Sequence, residues 1–213
     1  MNELQISAEQ DDVLTVLRKT KRLASKLNRK DISDWLQAEQ SGYENKKDIP
    51  SYRLVRASLS MKTNGYIPAG YGQLKDGIEE LSGFGINPNL SITDPISDIL
   101  SWVESIANGH GIYFPIDRAM DVDRYVRQHV NPMFQHQVSF LLHLNEAQIK
   151  AIPEGIKNKV LDWACALEEA GVKGDGQSFD DKEKRIGQNI IFNISGSHIE
   201  QLSNMGNNRK DNR

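Results

Sequence analysis

The stretch from Ser7 to Leu27 constrains the fold more than any other. At about 100° per residue, Val13, Val16, Leu17, Leu23, Ala24 and Leu27 fall in an arc of roughly 120°, with Leu14 off that arc. Arg18, Lys19, Lys21, Arg22 and Lys26 occupy the opposite side. A helix with one apolar stripe and one cationic face must bury the stripe against a neighbour, so the chain has to build a packed core around it. Ser7, followed three residues later by Gln10, forms a candidate capping box that starts this helix. A second, shorter helix follows: Asp31 is placed to cap it, Ile32, Trp35 and Leu36 supply its apolar face, and Gly42 is placed to end it. The two helices are expected to form an αα-hairpin over residues 8–41, turning at Asn28-Arg29-Lys30.

Strand signals come next. In Tyr52 to Met61, the alternate residues Arg53, Val55, Ala57, Leu59 and Met61 are mostly apolar, as a half-buried strand requires. Thr63-Asn64-Gly65 marks a hairpin turn, since Asn-Gly favours the tight two-residue type. Asp94-Pro95 is read as cap and first residue of a helix with Ile96, Ile99, Leu100, Val103 and Ile106 on its buried side and Asn108-Gly109 at its end. Ile112-Tyr113-Phe114 reads as a short strand stopped by Pro115. From Phe134 the chain is expected to be helical again, with an interruption at Pro153. Residues 154–170 then form a helix lined by Ile156, Val160, Trp163, Ala164 and Leu167, with Gly171 as its C-terminal cap. Trp35, Trp102 and Trp163 are the expected core anchors, because large aromatic side chains dominate the burial available to a small core.

The fold class that follows is α+β: a mainly helical domain with a small antiparallel hairpin or sheet over residues 1–172, a linker at 173–188, a short β-prone tail at 189–206 and a disordered polar end at 207–213. Lys and Arg number 26 against 29 Asp and Glu, giving a formal charge of -3, so only a local patch can attract a polyanion. No run of about 18 apolar residues is present to cross a bilayer, and the first residues lack the pattern of a signal peptide. A single cysteine, Cys165, has no partner at disulfide, metal or redox spacing. A cytoplasmic protein without a membrane partner is the expectation.

Four stretches in order carry a family pattern: Leu23-Ala-Ser-Lys-Leu27; Trp35-Leu-Gln-Ala-Glu39 with Ser41-Gly-Tyr43; Ile49-Pro-Ser-Tyr-Arg53; and Ile156 to Trp163 with Leu167-Glu-Glu-Ala-Gly171. Together they resemble the AbiTii family of bacterial abortive-infection proteins, over roughly residues 10 to 180 and thinly between Met61 and Asp94. The segment Asn189 to Gly206 is similar to the Asn-, Ile- and Gly-rich stretches that follow this domain in relatives. The resemblance implies a part in phage defence as a non-enzymatic or regulatory component, and it brings no catalytic residues with it.

The residues themselves show no catalytic set. His129, His136 and His143 are spaced by seven, which on a helix separates their Cα atoms by about 10 Å and serves a single metal ion poorly. Asp121 and Asp123 with Arg124 and Arg127 read as scattered loop charges rather than as a nuclease centre. Gly171 to Gly176 lacks the Gly-Lys-Ser/Thr ending of a phosphate loop. No cofactor and no metal are expected.

Two binding features remain. Arg18 to Lys30 holds seven Lys or Arg and no acid, and its residues Arg18, Lys19, Lys21, Arg22 and Lys26 are candidates for an anionic partner, nucleic acid or acidic protein. The tail offers Ile190, Ile191, Phe192, Ile194, Ile199 and Leu202 for interaction. A lone hairpin is only marginally stable in water. The tail therefore docks on its own domain, pairs with another chain or stays disordered. The expected function is a phage-defence accessory protein acting by protein–protein contact or self-association, with the tail as its recruitment segment. The alternatives are a nucleic-acid-binding component that uses the basic face and a toxin effector with a dispersed active site.

Overall fold

A computed structural model of the protein describes residues 2–63, 72–73, 88–116, 138–174 and 179–192. The fold is α+β and mainly helical. The helices are α1 (Asn2–Gln10), α2 (Val13–Lys26), α3 (Lys30–Ser41), α4 (Ile96–Ala107), α5 (Glu146–Glu169) and α6 (Asp181–Asn189). The strands are β1 (Leu54–Arg56), β2 (Ser58–Thr63), β3 (Gly72–Gln73), β4 (Asn89–Ser91), β5 (Ile112–Pro115) and β6 (Val138–Leu144). The chain divides into two compact units, one comprising Met1–Glu39 with Glu154–Arg213 and the other Gln40–Pro153.

In the first unit, α2 carries the apolar stripe on the expected side: Val13, Val16, Leu17, Ala24 and Leu27 are buried. Thr20 is buried with them, its hydroxyl donating to the Val16 carbonyl at 2.8 Å. The helix starts later than expected. Ser7 is a buried residue of α1 and its hydroxyl donates to Asp11. The cap of α2 is Asp12, whose carboxylate accepts the Thr15 amide at 3.0 Å and the Thr15 hydroxyl at 2.7 Å. Asp12 prevails because its charge faces the positive end of α2 while its backbone is extended. At the other end Asn28 takes a left-handed conformation (φ 53°). The Arg29 amide then reaches back to the Ala24 carbonyl and the Asn28 amide to Ser25, a Schellman closure that turns the chain into α3. α3 begins at Lys30, so Asp31 lies in its first turn rather than at its cap.

The C-terminal half of α5 places Ile156, Val160, Trp163, Ala164 and Leu167 in the core of this unit. Gly171, at φ 84°, closes it as expected, and Val172 is buried beyond the turn. Residues 173–188, expected as a linker, carry α6. The polar composition misleads here because the helix is held by its cap and not by a wide apolar stripe. The Asp180 carboxylate accepts the Glu183 amide while the Glu183 carboxylate accepts the Asp180 amide, a full capping box. The helix also presents Gly187 to Leu27 and Leu167, at distances that leave a Cβ only 3.2 Å from the Leu27 methyl groups.

In the second unit, β1 pairs antiparallel with β4, and a four-stranded antiparallel sheet runs in the order β3-β2-β6-β5. The expected alternation holds from Arg53 to Leu59: Arg53, Val55, Ala57 and Leu59 are buried, and Leu54 and Arg56 are exposed. The strand is broken at Ala57, whose amide donates to Pro88. The turn expected at Asn64-Gly65 lies outside the described residues. β6 corrects the helix expected after Phe134. Leu142 pairs with both Leu59 of β2 and Phe114 of β5, so β6 sits between two strands and exchanges backbone bonds on both sides. Its buried Leu142 and Leu144 alternate with half-exposed Leu141 and His143, the period of a strand.

Arg53 is fully buried in this unit. Its guanidinium donates to the carbonyls of Ile92 and Asp94 and lies 4.9 Å over the Tyr43 ring. α4 starts one residue later than expected, with Pro95 as its cap, and ends at Asn108-Gly109 as expected. Trp102 is half-buried, edge-on to Phe114, whereas Trp35 and Trp163 are buried as anchors of the first unit. Pro153 does not interrupt α5, which continues through it.

Candidate functional site

The described start of the expected tail is docked. Ile190 and Phe192 are buried, and Ile191 between them is half-exposed. The Phe192 ring lies 5.0 Å from Trp35 and 6.1 Å from Trp163, both in the first unit. Ile194, Ile199 and Leu202 lie outside the described residues.

Arg29 holds this segment in place. It belongs to the basic run but sits in the turn after α2, where it is 6% exposed rather than on the solvated face. One guanidinium nitrogen donates to the carbonyls of Gly187 and Ile190, each at 2.6 Å. The other two nitrogens grip both oxygens of Asp31, at 2.8 and 2.6 Å. Burial pushes the Asp31 carboxyl upward, but the hydrogen bonds and charge of Arg29 outweigh it and hold the group below its ordinary value. A run of like charges reads as one face, so the run alone does not set Arg29 apart from its basic neighbours. The signal that separates it is Asp31 two positions on, outside the helical register of α2.

Of the five basic candidates, Arg18, Lys21, Arg22 and Lys26 are exposed on α2. Lys19 is half-buried and pairs with Asp11 at 3.0 Å and Glu3 at 3.8 Å. Asp11 is held below the usual aspartate value by the hydroxyl of Ser7 and then by Lys19. Lys19, Arg22 and Lys26 line a cleft of about 160 Å³, together with Leu4, Leu23 and Phe179, whereas Arg18 and Lys21 do not line it. Glu183, in α6 beyond Phe179, is held low by the backbone amides of Gly174, Asp180 and Lys173.

His143 stacks on Tyr113 at 5.0 Å, and burial lowers its pKa; His129 and His136 lie outside the described residues, as do Asp121, Asp123, Arg124 and Arg127. Cys165 is half-exposed and accepts from the Gln5 amide. Among the described residues no group of three or more His, Cys, Asp or Glu is placed to hold a metal ion, and no helix is long and apolar enough to cross a membrane.

A helical α+β chain whose last described residues close its own core is what the geometry defines. The AbiTii family model matches residues 1–192, and the chain belongs to that family of abortive-infection domains. The match ends at Phe192, the residue docked against Trp35 and Trp163. No curated protein and no solved structure matches the chain.

Proposed function

We propose that this member of a phage-defence family works by protein–protein contact, through the residues that follow Phe192. The supporting observation is the anchor itself. Arg29 bonds the backbone at Gly187 and Ile190, and the Phe192 ring is buried beside two tryptophans. Whatever follows therefore departs from a fixed point on the folded domain. A segment presented in this way loses less orientational freedom on pairing than one on a free linker. Ile194, Ile199 and Leu202 supply the apolar side chains, and the partner is a second copy or another component of the defence system.

The test is a truncation that stops after Phe192, so that the anchor stays and residues 193–213 go. Cells carrying the intact defence locus with this truncation should lose protection in plaque counts, while the purified domain keeps its helical circular dichroism and melting temperature. Full protection by the truncated chain overturns the recruitment role.

A further inference from the structure

A cleft beside α2 is lined by Lys19, Arg22, Lys26, Glu3, Leu4, Leu23, Gly174 and Phe179. We propose that it binds a small phosphorylated molecule bearing an aromatic ring, of the mononucleotide class.

Lys19, Arg22 and Lys26 follow an i, i+3, i+7 spacing. At about 100° per residue they fall within an arc of roughly 60°, and all three line the cleft. Like charges on successive turns of one face destabilise a helix. Lys19 is offset by Asp11 and Glu3. Arg22 is exposed and makes no hydrogen bond or ion pair among the described residues. Its planar guanidinium presents paired N–H donors that match two oxygens of one phosphate, with Lys26 a turn further on as a second cation.

The cleft also has an apolar lining. Leu4 of α1, Leu23 of α2 and Phe179 form it. Gly174 brings the Phe179 ring against the backbone: at φ 65° it takes a conformation suited to glycine, and a Cβ there would lie 2.6 Å from the ring. A ring held in this way offers a face for stacking a base beside the phosphate-binding cations. Three cations on one face of α2 and an aromatic ring in a single small cleft favour a compact ligand, seated there by one end, over a strand of nucleic acid. A strand would require cations spread along its path. Instead, Arg18 and Lys21 lie outside the cleft, and Glu3, paired with Lys19, is among the residues that line it.

The experiment is calorimetric titration of the full chain at low salt with AMP, with GMP and with inorganic phosphate. At least one nucleotide should bind saturably at one per chain. Arg22→Gln and Lys26→Gln should each weaken it about tenfold or more, the loss expected when a charge-assisted contact is removed. Arg18→Gln and Lys21→Gln should leave the affinity unchanged. Phe179→Ala should weaken nucleotide binding and spare phosphate. The site is overturned if neither nucleotide binds at about 10 mM, or if Arg18→Gln costs as much as Arg22→Gln. Nucleotide affinity unmoved by Phe179→Ala overturns the stacking assignment and with it the ligand class. A single-stranded oligonucleotide whose affinity grows with length and exceeds that of either nucleotide overturns the small-ligand reading in favour of nucleic acid.

Discussion

The ring of Phe192 lies 5.0 Å from that of Trp35, inclined by 59°, though the two residues stand at opposite ends of the sequence. Trp163 meets the same ring nearly edge-on, at 78°. Tilted and edge-on pairs place the positive rim of one ring toward the negative face of another and add to the area they bury. Phe192→Ala empties this position. The expected cost is about 3 kcal/mol, the low end for a buried phenylalanine, because the residue keeps 7% exposure. Denaturant melts should show a lower midpoint at unchanged slope. A loss below about 0.5 kcal/mol, the range of ordinary surface changes, would mean that the ring does not carry the docking.

Arg29 should matter as much, by a different mechanism. Its guanidinium serves two backbone carbonyls and one carboxylate at once. Arg29→Ala leaves the Gly187 and Ile190 carbonyls without that donor, a loss of about 2–4 kcal/mol for charge-assisted bonds removed from a buried position. Arg29→Lys should not restore it, because an ammonium lacks the planar fork that reaches three acceptors in fixed directions. Hydrogen exchange checks this locally. Amides of α6 and of residues 190–192 should exchange faster in both variants, while those of β6 stay protected. Unchanged exchange at α6 contradicts the clamp.

How far the sequence discloses this arrangement depends on the range of each interaction. The stripe of α2 is legible because Val13, Val16, Leu17, Ala24 and Leu27 repeat at the helical period, which is local information. The start of α2 is not, because Ser7 and Asp12 both satisfy capping chemistry and only the backbone of α1 decides between them. β6 was hidden in a different way. Phe140-Leu141-Leu142 is a continuous apolar run that fits a helix or a buried strand, and the choice belongs to β2 and β5 on either side. The tail's alternation is visible in Ile190 and Phe192, but its destination at Trp35 and Trp163 is a pairing that no local pattern states. Likewise the basic run announces a cationic face, whereas its division into a clamp (Arg29), a cleft (Lys19, Arg22, Lys26) and an outer pair (Arg18, Lys21) depends on α1 and on the chain around Phe179.

Glu183 should make α6 sensitive to acid. The amides of Gly174, Asp180 and Lys173 donate to its carboxylate and hold its pKa below the ordinary value. A depressed folded pKa means that the carboxylate contributes stability above the unfolded value, near 4.3. That contribution is lost as the pH falls through the folded value. Glu183→Gln keeps a side-chain acceptor but removes the charge. The variant should be less stable than the parent at pH 7, and the difference should shrink as the pH drops below about 4. Melting temperatures across that range check it, and parallel curves would exclude Glu183 as the titrating group.

Pro153 supplies the last test. It lies inside α5 with helix on both sides. Proline has no amide hydrogen to offer the carbonyl of Ile149 four residues earlier, and its ring crowds that same carbonyl, an interior penalty of about 3 kcal/mol relative to alanine. The helix persists because its buried residues, Ile149 and Ile152 before the proline and Ile156 and Val160 after it, keep one apolar stripe in register through the defect. Pro153→Ala restores the missing bond. Against that gain stand the packing of a buried ring and the added freedom of the unfolded chain, about 0.4–1 kcal/mol for the latter. The net expectation is a stabilisation of about 1–2 kcal/mol, seen as a higher denaturation midpoint. A destabilised variant would show that the proline ring's own packing outweighs the backbone defect, and that α5 depends on the residue its sequence seemed to forbid.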